Sequence, residues 1–437
     1  MELKAPRGTY DVLPDQAKNW NKLEENAVSL FERYGYARIV TPTFEHTELF
    51  KRGIGESTEI VQKEMYTFED KSGRSLTLRP EGTAPVVRAY LEHNLSSYPL
   101  PVKLYYIGSM FRYERPQAGR YREFWQVGVE AMGSEDPALD AEVILLLVHY
   151  LQDIGLKDLT LYINSMGCGD CRPKFVSEIR KELGDYVDEL CDDCRRRIEQ
   201  NPLRVFDCKS KQCKSVLQKM PLISDYLCQS CADHFLVVKD FLKEVNISFE
   251  PNPYLVRGFD YYTKTTFEVV SGFLGAQNAL GGGGRYDGLV QDFGGPPTAA
   301  IGFAIGVERV LLALSKERGE DKRPVRTKVF LAALGAESRP TAFGLLHKMR
   351  VEGISADMDY LGRSLKSQMK LADKRGAIFT LLLGSDELAK GVLVVRDMET
   401  GLQEEVSLDE FISSLKSKLQ KKELDSEEND RLLHAQP

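Results

Sequence analysis

The chain has 437 residues, 42% hydrophobic and 28% charged, with a formal net charge of −7 and a pI near 5.6. That length is too great for one core and calls for roughly two to four domains, while the acidic balance excludes wholesale binding of nucleic acid, though not a local basic surface. The first thirty residues, MELKAPRGTYDVLPDQAKNWNKLEENAVSL, carry no uninterrupted apolar core, so no signal peptide is expected, and the greasiest stretch, AEVILLLVHYL from Ala141, falls short of the ~18–20 apolar residues of a membrane span, so a cytosolic protein off the membrane is expected.

WNKLEENAVSLFERYGY carries Trp20, Leu23, Ala27, Leu30 and Phe31 at helical spacing and stops at Gly35. ARIVTPTFEHTELF reads as an extended segment that Pro42, lacking an N–H, confines to a sheet edge or an interface. MYTFED and SLTLRPEG predict a hairpin turning at Lys71-Ser72-Gly73, and TAPVVRAYLEHNL a short helix. VKLYYIGSMFRYE and GRYREFWQVGVEAMG predict two strands joined by RPQAGR, followed by the helix DPALDAEVILLLVHYLQDIG with Asp136 as its cap. After a mostly helical, cysteine-bearing stretch, strands resume at YLVRGFDYYTKTTFEVV, pass through GAQNALGGGGRYDGLV and end in AIGFAIGVERVLLALSK, read as a helix. Strands and helices without a βαβ rhythm predict an α+β fold on an antiparallel sheet flanked by helices. Beyond the polar linker ERGEDKRPVRT, KVFLAALG, a helix, ISADMDYL, a second helix, AIFTLLLG and GVLVVRD alternate as a small separate α/β domain. The charged KSKLQKKELDSEENDRLLHAQP reads as a frayed tail. The expected division is one domain in two parts (1–167 and 241–325), a helical cysteine-rich insertion (168–240), a C-terminal α/β domain (326–421) and a flexible tail (422–437).

All eight cysteines fall in the insertion, as Cys168/Cys171, Cys191/Cys194, Cys208/Cys213 and Cys228/Cys231. Three CxxC pairs and one Cx4C pair in a reducing compartment read as metal knuckles, whose thiolates can converge on a tetrahedral zinc at about 2.3 Å. Four pairs suit two four-cysteine sites, and at least one structural zinc is expected; a set of reduced structural thiols is the other reading.

The loop RPQAGR brings Arg112 and Arg120 to one mouth of a sheet, where guanidinium groups make bidentate bonds to phosphate or carboxylate oxygens. Phe124 beside them offers a purine a face to stack on. Glu130 stands alone in the apolar VGVEAM, and a buried carboxylate is costly without a partner, so it is either a satisfied structural acid or a receptor for a polar or cationic ligand group. RPEGTA adds Glu81 and Thr83, and VRGFDYY adds Arg257, Asp260, Tyr261 and Tyr262. Gly281 to Gly284 then precede Arg285 and Tyr286, and glycine within a strand signals a bulge or a close backbone approach. Gly302, Gly306, Glu308 and Arg309 surround a helix, with Arg309 a third phosphate anchor. Neither a Walker loop nor GxGxxG is present, so a nucleotide would be held by arginines on an antiparallel sheet.

From APRGTYDVLP at Ala5 to near residue 420 the chain resembles the class II aminoacyl-tRNA synthetases, and among them the histidyl-tRNA synthetases. The three class II motifs lie around Pro42, around Arg112 to Glu130 and around Gly306 to Arg309, while VRGFDYY and GGGGRYDG resemble the pair peculiar to histidine enzymes. The resemblance implies ATP-dependent activation of L-histidine to histidyl-adenylate and transfer to tRNA(His), with Mg2+ on the phosphates. Arg112 would hold the α-phosphate, Glu114 and Phe124 the adenine, and Arg309 the far phosphates. Glu81, Thr83 and Gln126 would receive the α-amino end of histidine; Glu130 and Tyr262, with Tyr261 beside them, would read the imidazole. Arg257 would stabilise the charge developing as carboxylate attacks phosphorus. Motif 1 implies a homodimer, and the C-terminal domain an anticodon-binding module. There Arg363, Lys366, Lys370 and Lys374, spaced 3, 4 and 4 apart, form a basic helix stripe suited to tRNA phosphates, although a solvated helix face looks the same. Trp125 stands where relatives often carry a polar residue. A histidine-binding regulatory relative usually lacks the anticodon domain and the catalytic arginines, both kept here; a synthetase for another amino acid is opposed by Glu130 with VRGFDYY.

Overall fold

The computed structural model describes residues 3–56, 58–275, 278–319 and 327–434. They form two compact units, one of residues 1–12 and 19–320, the other of 13–18 and 321–437.

α1 (Pro14–Arg33), which belongs to the first unit from Asn19 on, buries Leu23, Ala27, Leu30 and Phe31 as their spacing requires. After β1 (Ala37–Arg38) and Pro42 come β2 (Phe44–His46) and α2 (Thr47–Ile54), so the end of the segment expected to be extended is helical. Thr47, Phe50 and Ile54 are all buried, which one helix face allows; a strand would put Thr47 and Phe50 on opposite sides. β3 (Tyr66–Glu69) and β4 (Ser75–Leu78) form the expected hairpin and pair with β2 in a small antiparallel sheet. α3 (Thr83–Glu92), β5 (Val102–Phe111), β6 (Glu123–Met132) and α4 (Pro137–Asp153) fall where the sequence puts them, and the Asp136 carboxylate accepts from the Ala138 amide at 2.9 Å. β7 (Leu159–Ser165) is a strand the sequence reading did not include.

The insertion is helical, as expected: α5 (Arg172–Gly184), α6 (Asp192–Gln200), α7 (Lys211–Leu217) and α8 (Gln229–Glu244). It has its own core, built from Phe175, Ile179, Leu183, Val205, Val216 and several cysteines. The chain then adds β8 (Glu250–Pro251), β9 (Thr263–Ser271), β10 (Ala279–Arg285), α9 (Leu289–Asp292), β11 (Ala300–Gly306) and α10 (Val307–Arg318). Two expectations fail here. VRGFDYY is an irregular loop leading into β9, not a strand, and AIGFAIG is a strand, not the start of a helix. The second error has a physical source: β11 lies between β6 and β10 with nearly every residue buried, and a continuous apolar run carries no period to tell it from a buried helix.

These strands form one eight-stranded sheet in the order β1-β5-β6-β11-β10-β9-β7-β8, antiparallel except for the parallel pairs at its edges, β1/β5 and β7/β8. Strand alternation sorts it into two faces. Val127, Val129, Phe267, Val269, Phe303 and Ile305 share a core with residues of α1 and α4. Arg285 reaches the same side: wholly buried, it pairs with Asp140 of α4 at 2.6 Å and donates to the Ser134 and Asp136 carbonyls. Asp140 in turn meets His234 of α8 at 2.8 Å, so the pair is fully bonded, as burial demands.

The second unit carries a sheet ordered β13-β12-β14-β15-β16: β12 (Val329–Ala333), β13 (Ala356–Met358), β14 (Phe379–Leu383), β15 (Val392–Asp397) and β16 (Gln403–Ser407). The first three are parallel, linked by α11 (Arg339–Val351) and α12 (Leu365–Lys374), which is the expected alternation. After α13 (Ser385–Lys390), β15 and β16 add antiparallel strands. The stretch read as a frayed tail belongs to α14 (Phe411–His434). Phe411, Leu415 and Leu419, four apart, anchor that helix in the core, and the charged residues that follow continue it; only the last three residues lie outside the described ones. Most of the linker ERGEDKRPVRT likewise lies outside them. Among the described residues no helix is long and apolar enough to cross a membrane.

Candidate active site

The sheet face opposite the α1–α4 core is floored by small residues. Cα partners across the ladders align Gln126, Gly128 and Glu130 of β6 with Gly306, Ala304 and Gly302 of β11, then Ala304 and Gly302 with Gly282 and Gly284 of β10. Methyl groups would not fit there: a Cβ on Gly302 would stand 1.9 Å from Glu130 Oε2, on Gly284 2.9 Å from the Tyr262 ring, and on Gly282 2.9 Å from Arg257 Nη1. The glycine run is therefore a central strand whose bareness makes room for Arg257 and Tyr262, while Gly302 of β11 does the same for Glu130. Tyr106 of β5 lies over the same floor, and a Cβ on either Gly82 or Gly128 would run into its ring.

Glu130 is 1% exposed and accepts from Thr83 Oγ1 at 2.7 Å and from the Tyr286 hydroxyl at 2.5 Å. The two sequence readings of this residue therefore combine: the acid is bonded within the protein, and only its remaining lone pairs are left for a ligand. Burial pushes its pKa up to about 8, against the two donors that lower it. The sequence marks Tyr286 only by its place after the glycine run; its partner lies 156 residues away, and no local pattern encodes such a contact. Tyr286→Phe is expected to lower stability by about 1–3 kcal/mol at pH 9 in chemical denaturation, because it leaves a buried carboxylate one donor short.

Glu81 accepts from the Thr83 and Ala84 amides, each at 2.7 Å, and so closes the first turn of α3. Burial raises its pKa, and those amides oppose the rise. Gln126 is buried, and among the described residues its Oε1 has no hydrogen-bond partner; the same holds for the Tyr106 hydroxyl and Arg257 Nε. Buried polar atoms left unpaired are costly, and three around one floor mark a place for a polar guest. Arg257 donates to Glu268 at 2.6 Å. Burial works against its charge, but Tyr262 and Glu268 beside it prevail and its pKa is raised. Tyr261 and Tyr262 are buried, with ring centroids 4.7 Å apart.

At the mouth, Arg112 bonds the Pro80 carbonyl at 2.8 Å and lies over Phe124 and Phe259, 5.3 and 5.8 Å from the ring centroids. Glu114 takes Arg120 at 3.2 Å. Burial lowers the Arg309 pKa and Arg120 adds to the effect, against Glu268 and Glu114, which raise it. Glu308, by contrast, is structural: it accepts from the Trp125 amide at 2.9 Å and the Tyr10 hydroxyl at 3.1 Å. Trp125 projects to the core face, edge-on to Trp20.

The cysteines resolve into two groups, Cys168, Cys171, Cys228 and Cys231, and Cys191, Cys194, Cys208 and Cys213, with the sulfurs of each within 4.8 Å of one another. Sulfur pairs of the first stand 3.6, 3.8 and 3.8 Å apart. A tetrahedron with 2.3 Å bonds has edges of about 3.8 Å, so the geometry fits zinc. Backbone amides also point at sulfur, Cys168 N to Cys171 Sγ at 3.0 Å and Cys191 N to Cys213 Sγ at 3.3 Å. In the second unit Lys366, Lys370 and Lys374 are exposed on α12. Arg363 is not on that helix: it precedes the cap Ser364 and pairs with Asp359 at 2.8 Å, so the expected stripe holds three residues, not four.

An antiparallel sheet edged by parallel strands, arginines at its mouth and a separate α/β domain define a class II aminoacyl-tRNA synthetase. A family model described as histidyl-tRNA synthetase matches residues 8–170 and 199–310, and one described as anticodon binding domain matches residues 328–418. The histidine–tRNA ligase of Halothermothrix orenii is 51% identical over 417 residues, 95% of this chain and 99% of the relative; that of Desulforudis audaxviator is 52% identical over 420 residues, with the same coverage. The apo histidyl-tRNA synthetase of S. aureus superposes with a TM-score of 0.81 at 40% identity, covering 95% of this chain and all of that one. The chain belongs to the histidyl-tRNA synthetase family.

Proposed function

We infer that this protein is a histidine–tRNA ligase. It binds L-histidine and ATP, the latter as its magnesium complex. A histidine carboxylate oxygen attacks the α-phosphorus, the bond to the β-phosphate breaks, and pyrophosphate leaves histidyl-adenylate behind. A terminal ribose hydroxyl of tRNA(His) then takes the acyl group and AMP departs. The observation that carries this reading is Glu130, held by Thr83 and Tyr286 on a glycine floor ringed by unpaired polar atoms.

Glu130 accepts the imidazole N–H and Tyr262, with Tyr261 packed beside it, completes the ring's second nitrogen. Glu81, Thr83 and Gln126 receive the α-amino group; Arg112 holds the α-phosphate, Glu114 and Phe124 the adenine, and Arg309 the far phosphates. Arg257 stabilises the charge that develops at phosphorus, so catalysis is positioning plus electrostatics without a protein nucleophile. Residues 1–167 and 241–325 form the catalytic domain around the 168–240 insertion, and 326–421 the anticodon-binding domain, where Lys366, Lys370 and Lys374, with Arg363 at their border, contact tRNA phosphates. The enzyme acts in the cytoplasm as a homodimer.

Each cysteine group holds one structural zinc. Metal analysis of gently purified protein is expected to find about two equivalents per chain, with loss of fold in the insertion on removal; less than half an equivalent would sink the assignment. The reaction itself is tested by ATP–pyrophosphate exchange with each of the twenty amino acids. Exchange with histidine alone is expected. Histidine binding without exchange would move the protein to the regulatory class.

A further inference from the structure

Several hydrogen bonds from the cysteine-rich insertion end on a single loop of the active site. Arg172, the residue after Cys171, donates from Nη1 to the carbonyls of Asp260 at 3.1 Å and Tyr262 at 2.9 Å. Asn201 Nδ2 donates to Asp260 Oδ1 at 2.9 Å. Arg204 Nη2 donates to the same oxygen at 3.1 Å and to the Gly258 carbonyl at 2.7 Å. The loop so gripped runs from Arg257 to Tyr262 without regular structure, so no ladder fixes its backbone. On its other side the Asp260 amide donates to the Ile54 carbonyl of α2 at 3.3 Å, a long bond, and Arg257 to Glu268 of β9 at 2.6 Å. The Arg204 and Asp260 side chains are 18% and 27% exposed, and a charge-assisted bond that sheltered outlasts a surface ion pair.

We propose that Arg204, with Asn201 and Arg172, is a positioning residue for histidine activation: the insertion holds Asp260 and thereby sets Arg257 and Tyr262. This rests on the reading of Arg257 and Tyr262 as histidine-site residues. The insertion is then part of the amino-acid site without touching the amino acid. Residues of this kind act through the alignment of others, and misplacement by about 1 Å costs on the order of a hundredfold.

The test uses the full-length chain and two readouts. In Arg204→Ala, hydrogen exchange of peptides covering residues 256–263 is expected to accelerate about tenfold or more, while α5 and α8 keep wild-type protection. The histidine KM in pyrophosphate exchange should rise roughly ten- to a hundredfold with the ATP KM nearly unchanged, and Arg204→Lys should recover part of it. Wild-type loop exchange together with a wild-type histidine KM would overturn the proposal. Should Arg204→Ala unfold the insertion, Asp260→Asn decides, because it leaves every insertion residue in place: the same loosened loop and raised KM are expected, and an unchanged loop overturns the clamp. Loop exchange is read without substrate. A loop that loosens as expected in a protein that never activates histidine would therefore uphold the clamp and defeat the assignment of the site.

Discussion

Arg257→Ala is expected to reduce histidyl-adenylate formation about a hundred- to a thousandfold, the range found when one preorganised charge donor to a transition state is removed. Histidine binding should survive in part, because Glu130, Thr83 and Tyr286 hold one another whether or not the guanidinium is present. The fold should survive as well: the partner left behind, Glu268, has a side chain 24% exposed, and water can solvate it. Lysine is expected to be a poor substitute, since Arg257 spends Nη1 on Glu268 and in the proposed role would use its remaining donors for phosphate, whereas a point charge cannot serve both. Single-turnover formation of adenylate, with calorimetric titration of histidine alongside, separates the effects. A wild-type rate in the variant would remove Arg257 from the chemistry.

Assayed at pH 9, above the folded pKa, Glu130→Gln should cost comparably in kcat/KM for histidine, because on the proposed role an amide presents a donor where the imidazole N–H would need a carboxylate oxygen. Its effect on stability has the opposite sign. The carboxyl titrates near 4.5 when exposed and is pushed up to about 8 by burial. Between those values the unfolded chain sheds a proton that the folded chain keeps, so stability falls as pH rises, by up to about 1.4 kcal/mol per pH unit, and levels off above the folded pKa. Glutamine is free of that penalty. Denaturation curves of variant and wild type should nearly coincide at pH 5 and separate toward pH 9 in favour of the variant. A constant difference across the range would mean that Glu130 is ionised throughout.

Legibility in the sequence followed the range of the interaction that decides each feature. The Tyr66–Leu78 hairpin and the Asp136 cap depend on residues a few positions apart, and both were readable. β11 was not, because its identity as a strand comes from being enclosed by β6 and β10. The cysteines announced themselves as pairs, yet spacing cannot say which pairs converge; the fold joins the outer two and the inner two. Glu130 stood out as a lone acid in an apolar strand, whereas its bond to Tyr286 needs three-dimensional closure. Arg363 matched the 3-4-4 spacing and still missed the helix, since Asp359 draws it away just before the helix begins.

The order of the large sheet bears on how the chain is made. β6 and β7 leave the ribosome early, yet the three strands that belong between them, β9, β10 and β11, are encoded after the insertion. At about 5–20 residues per second, the interval from Ser165 to Gly306 lasts on the order of ten to thirty seconds. For that time β6 and β7 each lack the neighbour they have in the finished sheet, and the cysteine-rich helices, which have a core of their own, emerge while the sheet waits for its centre.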